Sequence, residues 1–94
     1  MKWLEIIELR SVDNNRDQLE SQLKKLIHEV EGELKMQNVK GYVRVMLDTD
    51  YSIHIFHDSK ELENDGSPLG LRIASALKEY GLVDQSLWIE MQET

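Results

Sequence analysis

The 94-residue chain carries 18 acidic against 11 basic side chains, a formal net charge of −7, which argues against nucleic acid or an anionic membrane surface as a partner, since both are held through a basic footprint. It contains no cysteine, so disulfides, thiol catalysis and thiolate metal sites are excluded. A hydrophobic fraction of 40% with 31% charged residues is that of a globular chain of one domain, 1–94, and no apolar run approaches the roughly 18 residues that a membrane-spanning helix needs.

Trp3 to Arg10 reads as a strand rich in Ile and Leu, closed by the polar run Ser11-Val12-Asp13-Asn14-Asn15. Asn14 or Asn15 suits a helix N-cap. Leu19, Leu23, Leu26, Ile27, Val30 and Leu34 then recur on one helical face, with Glu20, Lys24, Lys25, Glu29 and Glu31 on the other, so a helix is expected over about Asn15–Lys35. Tyr42–Asp48 and Tyr51–Asp58 alternate as strands around the turn Asp48-Thr49-Asp50. For their like faces to match, opposed residues must sum to an even number, which leaves a three- or five-residue loop. The shorter loop pairs Arg44 with His54 and Tyr42 with Phe56; the longer pairs Arg44 with Phe56 and Met46 with His54. After a polar, acidic connection at 59–66, Ser67-Pro68 is the N-cap and first position of a second helix. Leu69, Ile73, Ala76, Leu77 and Tyr80 line its inner face, and Gly81 suits its C-cap. A last strand follows over Gln85–Gln92.

The order β-α-β-β-α-β, with right-handed crossovers, favours an α+β fold of the ferredoxin-like type. It is a four-stranded antiparallel sheet with its first and third strands central and both helices on one face. The other face is left open, and it is not polar. Val43, Val45, Leu47, Ile53, Ile55, Leu87, Ile89 and Met91 give one aliphatic parity for the helices. Tyr42, Arg44, Met46, His54, Phe56 and Trp88 give a second that is aromatic, sulfur-bearing and partly charged. An exposed face of that kind marks a partner or a ligand.

The first strand has two possible parities. One places Trp3, Glu5, Ile7 and Leu9 on the open face; the other places Glu5 against the helices, where an unpaired carboxylate is costly. The first is therefore expected, and it gathers Glu5, Arg44 and His54 among the ligand-lining candidates Trp3, Tyr42, Met46, Phe56 and Trp88. His54 is then a general base, Glu5 fixes its tautomer and Arg44 holds an anionic group. The plainer reading is that these three pair with one another or across a subunit interface. His54 and His57 lie three apart on a strand and so point to opposite faces, which leaves no metal site. The acidic residues Glu61, Glu63 and Asp65 lack the ligand order of a calcium loop. Ser67 with Gly66, Gly70 and Arg72 offers helix-end amides to a phosphate, against which stands simple capping.

This order, with the open face carried by Tyr42-Val43-Arg44-Val45-Met46, Ile53-His54-Ile55-Phe56 and Leu87-Trp88-Ile89-Glu90, resembles the dimeric α+β-barrel group of ferredoxin-like proteins, of which the antibiotic-biosynthesis monooxygenase type is a small member. The resemblance implies a homodimer whose two sheets face each other around a cavity; it assigns no catalytic residue and no cofactor. The function expected is a small homodimeric protein that binds or transforms a small, partly aromatic molecule on that face. The alternative is a non-catalytic interaction or regulatory module that uses the same face as a subunit interface. With no leader-like apolar run at Met1-Lys2-Trp3-Leu4-Glu5, a cytoplasmic protein is expected.

Overall fold

The computed structural model describes residues 1–12, 16–33, 38–58 and 65–92. The elements follow in the order β1 (Lys2–Ser11), α1 (Arg16–Glu33), β2 (Asn38–Val43), β3 (Asp50–Asp58), α2 (Pro68–Leu77) and β4 (Gly81–Ile89). The strands form one antiparallel sheet in the order β2-β3-β1-β4, so β1 and β3 are central as expected. The N-cap expected at Asn14 or Asn15, the end of the first helix at Leu34 and Lys35, and the connection at 59–64 lie outside the described residues. Among the described residues no helix is long and apolar enough to cross a membrane.

Both helices pack on one face of the sheet. Leu19, Leu23 and Val30 of α1 and Leu69, Ile73, Ala74 and Leu77 of α2 are buried against Ile7, Leu9, Val39, Ile53 and Ile55. The helical periodicity was therefore informative, with one exchange: Ala74, not Ala76, is the buried alanine of α2. Ser67 caps that helix as its sequence predicts, its Oγ accepting from the Gly70 amide at 3.0 Å, and Pro68 follows at the first position.

The parity of β1 is the reverse of that expected. Trp3, Glu5, Ile7 and Leu9 all point under the helices and are buried. The Glu5 carboxylate is fully enclosed but not unpaired. Its Oε1 meets His57 Nε2 at 2.6 Å and accepts from the Ser67 hydroxyl. Its Oε2 accepts from the Ser67 amide at 3.1 Å and from Gln85 Nε2 at 3.1 Å. The carboxylate thus stands at the N-terminus of α2, where free amides and the helix dipole favour negative charge. Trp3 lies directly opposite His57 on β3 and stacks on its ring, centroids 3.9 Å apart and planes 12° from parallel. Two glycines make room for the acid. A Cβ at Gly70 would lie 2.0 Å from Glu5 Oε2, and one at Gly66, whose φ is +93°, would lie 2.7 Å from the same oxygen.

The hairpin and the last strand also differ from expectation. β2 and β3 pair with Tyr42 opposite Ser52, Lys40 opposite His54 and Asn38 opposite Phe56. The even sum holds, but neither expected register does. β2 starts earlier and stops at Val43; the Arg44 amide donates to the Asp50 carbonyl at 3.0 Å and closes a five-residue loop, 45–49. Val45, Met46 and Leu47 continue the alternating pattern in sequence yet lie in this loop, with Met46 in the left-handed region at φ 65°. β4 starts at Gly81 rather than Gln85 and ends at Ile89, leaving Met91 beyond the strand. Gly81 is no helix cap: Lys78 caps α2. Gly81 is instead pressed against β1, where a Cβ would sit 2.1 Å from the Arg10 carbonyl oxygen.

Removing one partner of a buried polar network leaves the others unpaired. Glu5→Ala is expected to lower the free energy of unfolding by about 3–5 kcal/mol, and Gly70→Ala, which drives a methyl into the carboxylate, by about 1–3 kcal/mol. Urea titration of both variants measures this; a change well under 1 kcal/mol for Glu5→Ala would contradict the assigned network.

Candidate functional site

The helix-free face of the sheet is laid out in four rows set by strand register, each running from β2 to β4. The first is Asn38, Phe56, Leu4 and Trp88; the second Lys40, His54, Ile6 and Ser86; the third Tyr42, Ser52, Glu8 and Asp84. The fourth holds Asp50, Arg10 and Leu82, with Arg44 continuing it at the loop. One end of the face is therefore aromatic and aliphatic, and the other is charged.

Of the eight residues singled out in sequence, the face brings together Tyr42, His54, Phe56 and Trp88, with Arg44 at its rim. Tyr42 is 46% exposed, Phe56 39% and Trp88 57%. Glu5 and Trp3 are absent from it, being on the core side. Met46 is absent as well, 93% exposed in the hairpin loop. The expected grouping of Glu5, Arg44 and His54 therefore does not form. His57, three residues from His54, points to the core, as strand geometry requires. The helix-end site at Ser67, Gly66 and Gly70 already holds an anion of the chain's own, the Glu5 carboxylate, and so offers no room to a phosphate.

Sequence reasoning missed Glu8, Ser52 and Asp84. Glu8 has the parity opposite to Glu5, so with Glu5 inward it comes out on the face one row from His54. Glu8 and Asp84 stand directly opposite each other on β1 and β4, an arrangement of like charges that disfavours the bare sheet. The only signal for it in sequence is the antiparallel sum of β1 and β4, which needs the register first.

Asp50, at the charged end, is locally satisfied. The Arg44 guanidinium donates to Asp50 Oδ2 at 3.0 Å and Arg10 Nε lies 3.4 Å from Asp50 Oδ1. Burial raises the Asp50 carboxyl, but the hydrogen bonds from Thr49 and Arg44 and the charges of Arg10 and Arg44 together outweigh it and hold the group below the ordinary carboxylate range. His54 sits between Tyr42, 4.5 Å away between ring centroids, and Phe56, at 6.4 Å. Its Nε2 is 3.2 Å from Ser52 Oγ. Burial lowers its pKa, only partly opposed by the Glu8 charge. A neutral imidazole of this kind can accept a proton or a hydrogen bond from a bound molecule. Two hollows mark the face: one of about 580 Å³ over Ile6, Tyr42, Ser52 and His54, and one of about 430 Å³ over Leu4, Phe56 and Trp88.

No protein-family model matches the sequence, and no curated protein matches it. Among solved structures, that of Rv0793 from Mycobacterium tuberculosis superposes with a TM-score of 0.67 over 99% of this chain and 98% of its own, at 15% identity. That of SnoaB, a cofactor-independent oxygenase from Streptomyces nogalater, gives 0.65 over 98% and 95%, at 13% identity. At such identities the likeness is one of fold. It bears out the ferredoxin-like βαββαβ architecture and, by topology, the resemblance to the antibiotic-biosynthesis monooxygenase type of α+β barrel.

The lowered His54 pKa gives a signed expectation. The unfolded chain takes up a proton near the ordinary value of 6.5, whereas the folded chain does so only at lower pH. Between the two the unfolded state binds more protons, so stability falls as pH drops through that window. In an NMR titration the His54 ring is expected to turn over below pH 6.5, and Glu8→Gln is expected to move the midpoint lower still. A midpoint above 6.5 would contradict the burial described for this ring.

Proposed function

We propose that this chain is a homodimeric α+β barrel whose open sheet face, closed by a second copy, holds a small, partly aromatic molecule. The observation that carries the reading is the row Phe56, Leu4 and Trp88, with Tyr42 two rows away, on a face that neither α1 nor α2 covers. Fully covering side chains of this size contributes about 1.5–3 kcal/mol each, and a small domain gains proportionately from a second chain. The hollow over Leu4, Phe56 and Trp88 has the largely apolar wall of a ligand site, and the larger one beside it brings in His54 together with the charged Glu8, Arg10, Arg44, Asp50 and Asp84. Trp88, Phe56 and Tyr42 would line the ligand, His54 would accept its proton or hydrogen bond, and Arg44 would stand at the rim. The oxygenase activity stated for SnoaB agrees with chemistry on a small molecule within this fold. A cytoplasmic location fits the cysteine-free, acidic composition.

One observation favours a second reading, a dry subunit seam with no ligand. Arg10, Arg44 and Asp50 already satisfy one another within the chain, so none of the three is left over to hold the charge of a ligand.

Sedimentation velocity tests the shared premise: the native chain is expected to run as a dimer, and Trp88→Glu to shift it toward monomer. A native chain that remains monomeric at high protein concentration refutes both readings. Native mass spectrometry separates them, since a dimer carrying a co-purified or added phenolic molecule, lost in His54→Ala, supports the cavity, whereas a dimer that takes up none supports the seam.

A further inference from the structure

A further cleft opens on the helix side of the sheet at its β2–β3 edge, where Tyr42, Val43, Tyr51 and Ser52 line both it and the larger hollow of the open face. It measures about 380 Å³ and opens between α1 and the outer strands β2 and β3. Leu23 and Ile27 of α1 form one wall, Val43 and Ile53 the other, and Glu20 and Lys24 stand at its mouth. Its outer side is open because β2 stops at Val43, while Gly41 lets Ile27 come close to the strand, its absent Cβ position being 2.7 Å from Ile27 Cδ1.

Tyr51 lines this cleft from β3 and is only 5% exposed. Its hydroxyl is the one buried side-chain polar atom among the described residues that has no hydrogen-bond partner. Native chains leave few such groups, and each calls for an explanation. Burial raises the phenol pKa, with the charges of Arg16, Glu20, Asp48 and Asp17 acting on it more weakly. The group therefore stays protonated and is available as a donor. The single cation in this set is taken: Arg16 donates to Asp48 at 2.6 Å and lies 3.9 Å from Glu20. Glu20, Asp17 and Asp48 outnumber Arg16 and Lys24, each of which already has an acidic partner, and this disfavours an anionic ligand. Leu23, Ile27, Val43 and Ile53 make the walls largely aliphatic, with His28 and Ser52 also in the lining, and disfavour a strongly polar one.

We propose that this cleft is a binding site for a small, neutral, largely apolar molecule carrying one hydrogen-bond-accepting oxygen, such as a ketone or ester, which receives the Tyr51 hydroxyl. The hydroxyl is closed to water in the unliganded chain. A ligand reaches it past the half-buried Ile27 and the pair of half-buried Glu20 with exposed Lys24, 3.4 Å apart, which holds little. The class of ligand is set by what the site lacks, an acceptor, and by what it repels, negative charge.

Acetophenone and ethylbenzene, nearly equal in shape but with and without a carbonyl, are the probes. In an NMR titration of the native chain, acetophenone is expected to move the Tyr51 ring signals and the methyl signals of Leu23, Ile27 and Val43 saturably. It is expected to bind about three- to ten-fold tighter than ethylbenzene, the ratio for one net hydrogen bond. Tyr51→Phe deletes only the unpartnered hydroxyl, so its melting temperature is expected to equal or exceed that of the native chain. Its preference for the ketone is expected to vanish. Equal affinity for the two probes, shifts confined to Trp88 and Phe56 on the open face, or a ketone preference retained in Tyr51→Phe each overturns the proposal. A marked loss of stability in that variant does so too, because the hydroxyl would then already have a partner.

Discussion

The Glu5 carboxylate and the N-terminus of α2 hold each other in place. A negative group in a dry interior is tolerated only where donors converge on it, and here they come from three separate elements: His57 of β3, the backbone and side chain of Ser67, and Gln85 of β4. The helix end gains an anion for its free amides. The acid gains a cage. At Gly70 the oxygen occupies the space a side chain would take, and at Gly66 it does so together with the Gln85 amide, where a φ of +93° favours glycine as well. The two faces of the sheet follow from this pairing, because once Glu5 points inward, Leu4, Ile6 and Glu8 must point outward.

That outward set gives the open face its graded character. Along it, the side chains pass from Phe56, Leu4 and Trp88, through His54 and Ile6, to Glu8, Asp84 and the Arg10–Asp50–Arg44 group. The apolar end depends on being covered, and the charged end is largely content in water. His54 lies at the boundary, flanked by two aromatic rings and near one carboxylate. The ring is thereby kept neutral beside apolar surface, the condition under which an imidazole is useful to a bound molecule.

Much of the architecture was legible from the sequence because its signals are local. The periodicity of α1, the Ser67-Pro68 start of α2 and the alternation of Ile53, His54, Ile55 and Phe56 each depend on neighbours a few residues away. What failed depended on distant partners. Glu5 was assigned outward on the argument that a core carboxylate would be unpaired, and its partners lie 52 to 80 residues further on. The hairpin failed for a different reason. Val45 and Leu47 continue the strand pattern, and nothing in their composition reports that Met46 adopts a left-handed backbone. Gly81 looked like a helix cap because a glycine after a helix usually is one; its actual role, close approach to the Arg10 carbonyl, belongs to a neighbouring strand.

The segment Trp3-Leu4-Glu5-Ile6-Ile7-Glu8-Leu9 is nearly ambivalent. Shifted by one position, it would send Leu4, Ile6 and Glu8 into the interior in place of Trp3, Glu5, Ile7 and Leu9. What such a slipped frame forfeits is the carboxylate's whole set of donors, stranding His57, Ser67 and Gln85 in the dark. A buried charge contributes little net stability, so its value here is selective: together with Trp3, Ile7 and Leu9 it fixes which edge of the central strand's pleat meets the helices, and so which side the protein shows the world.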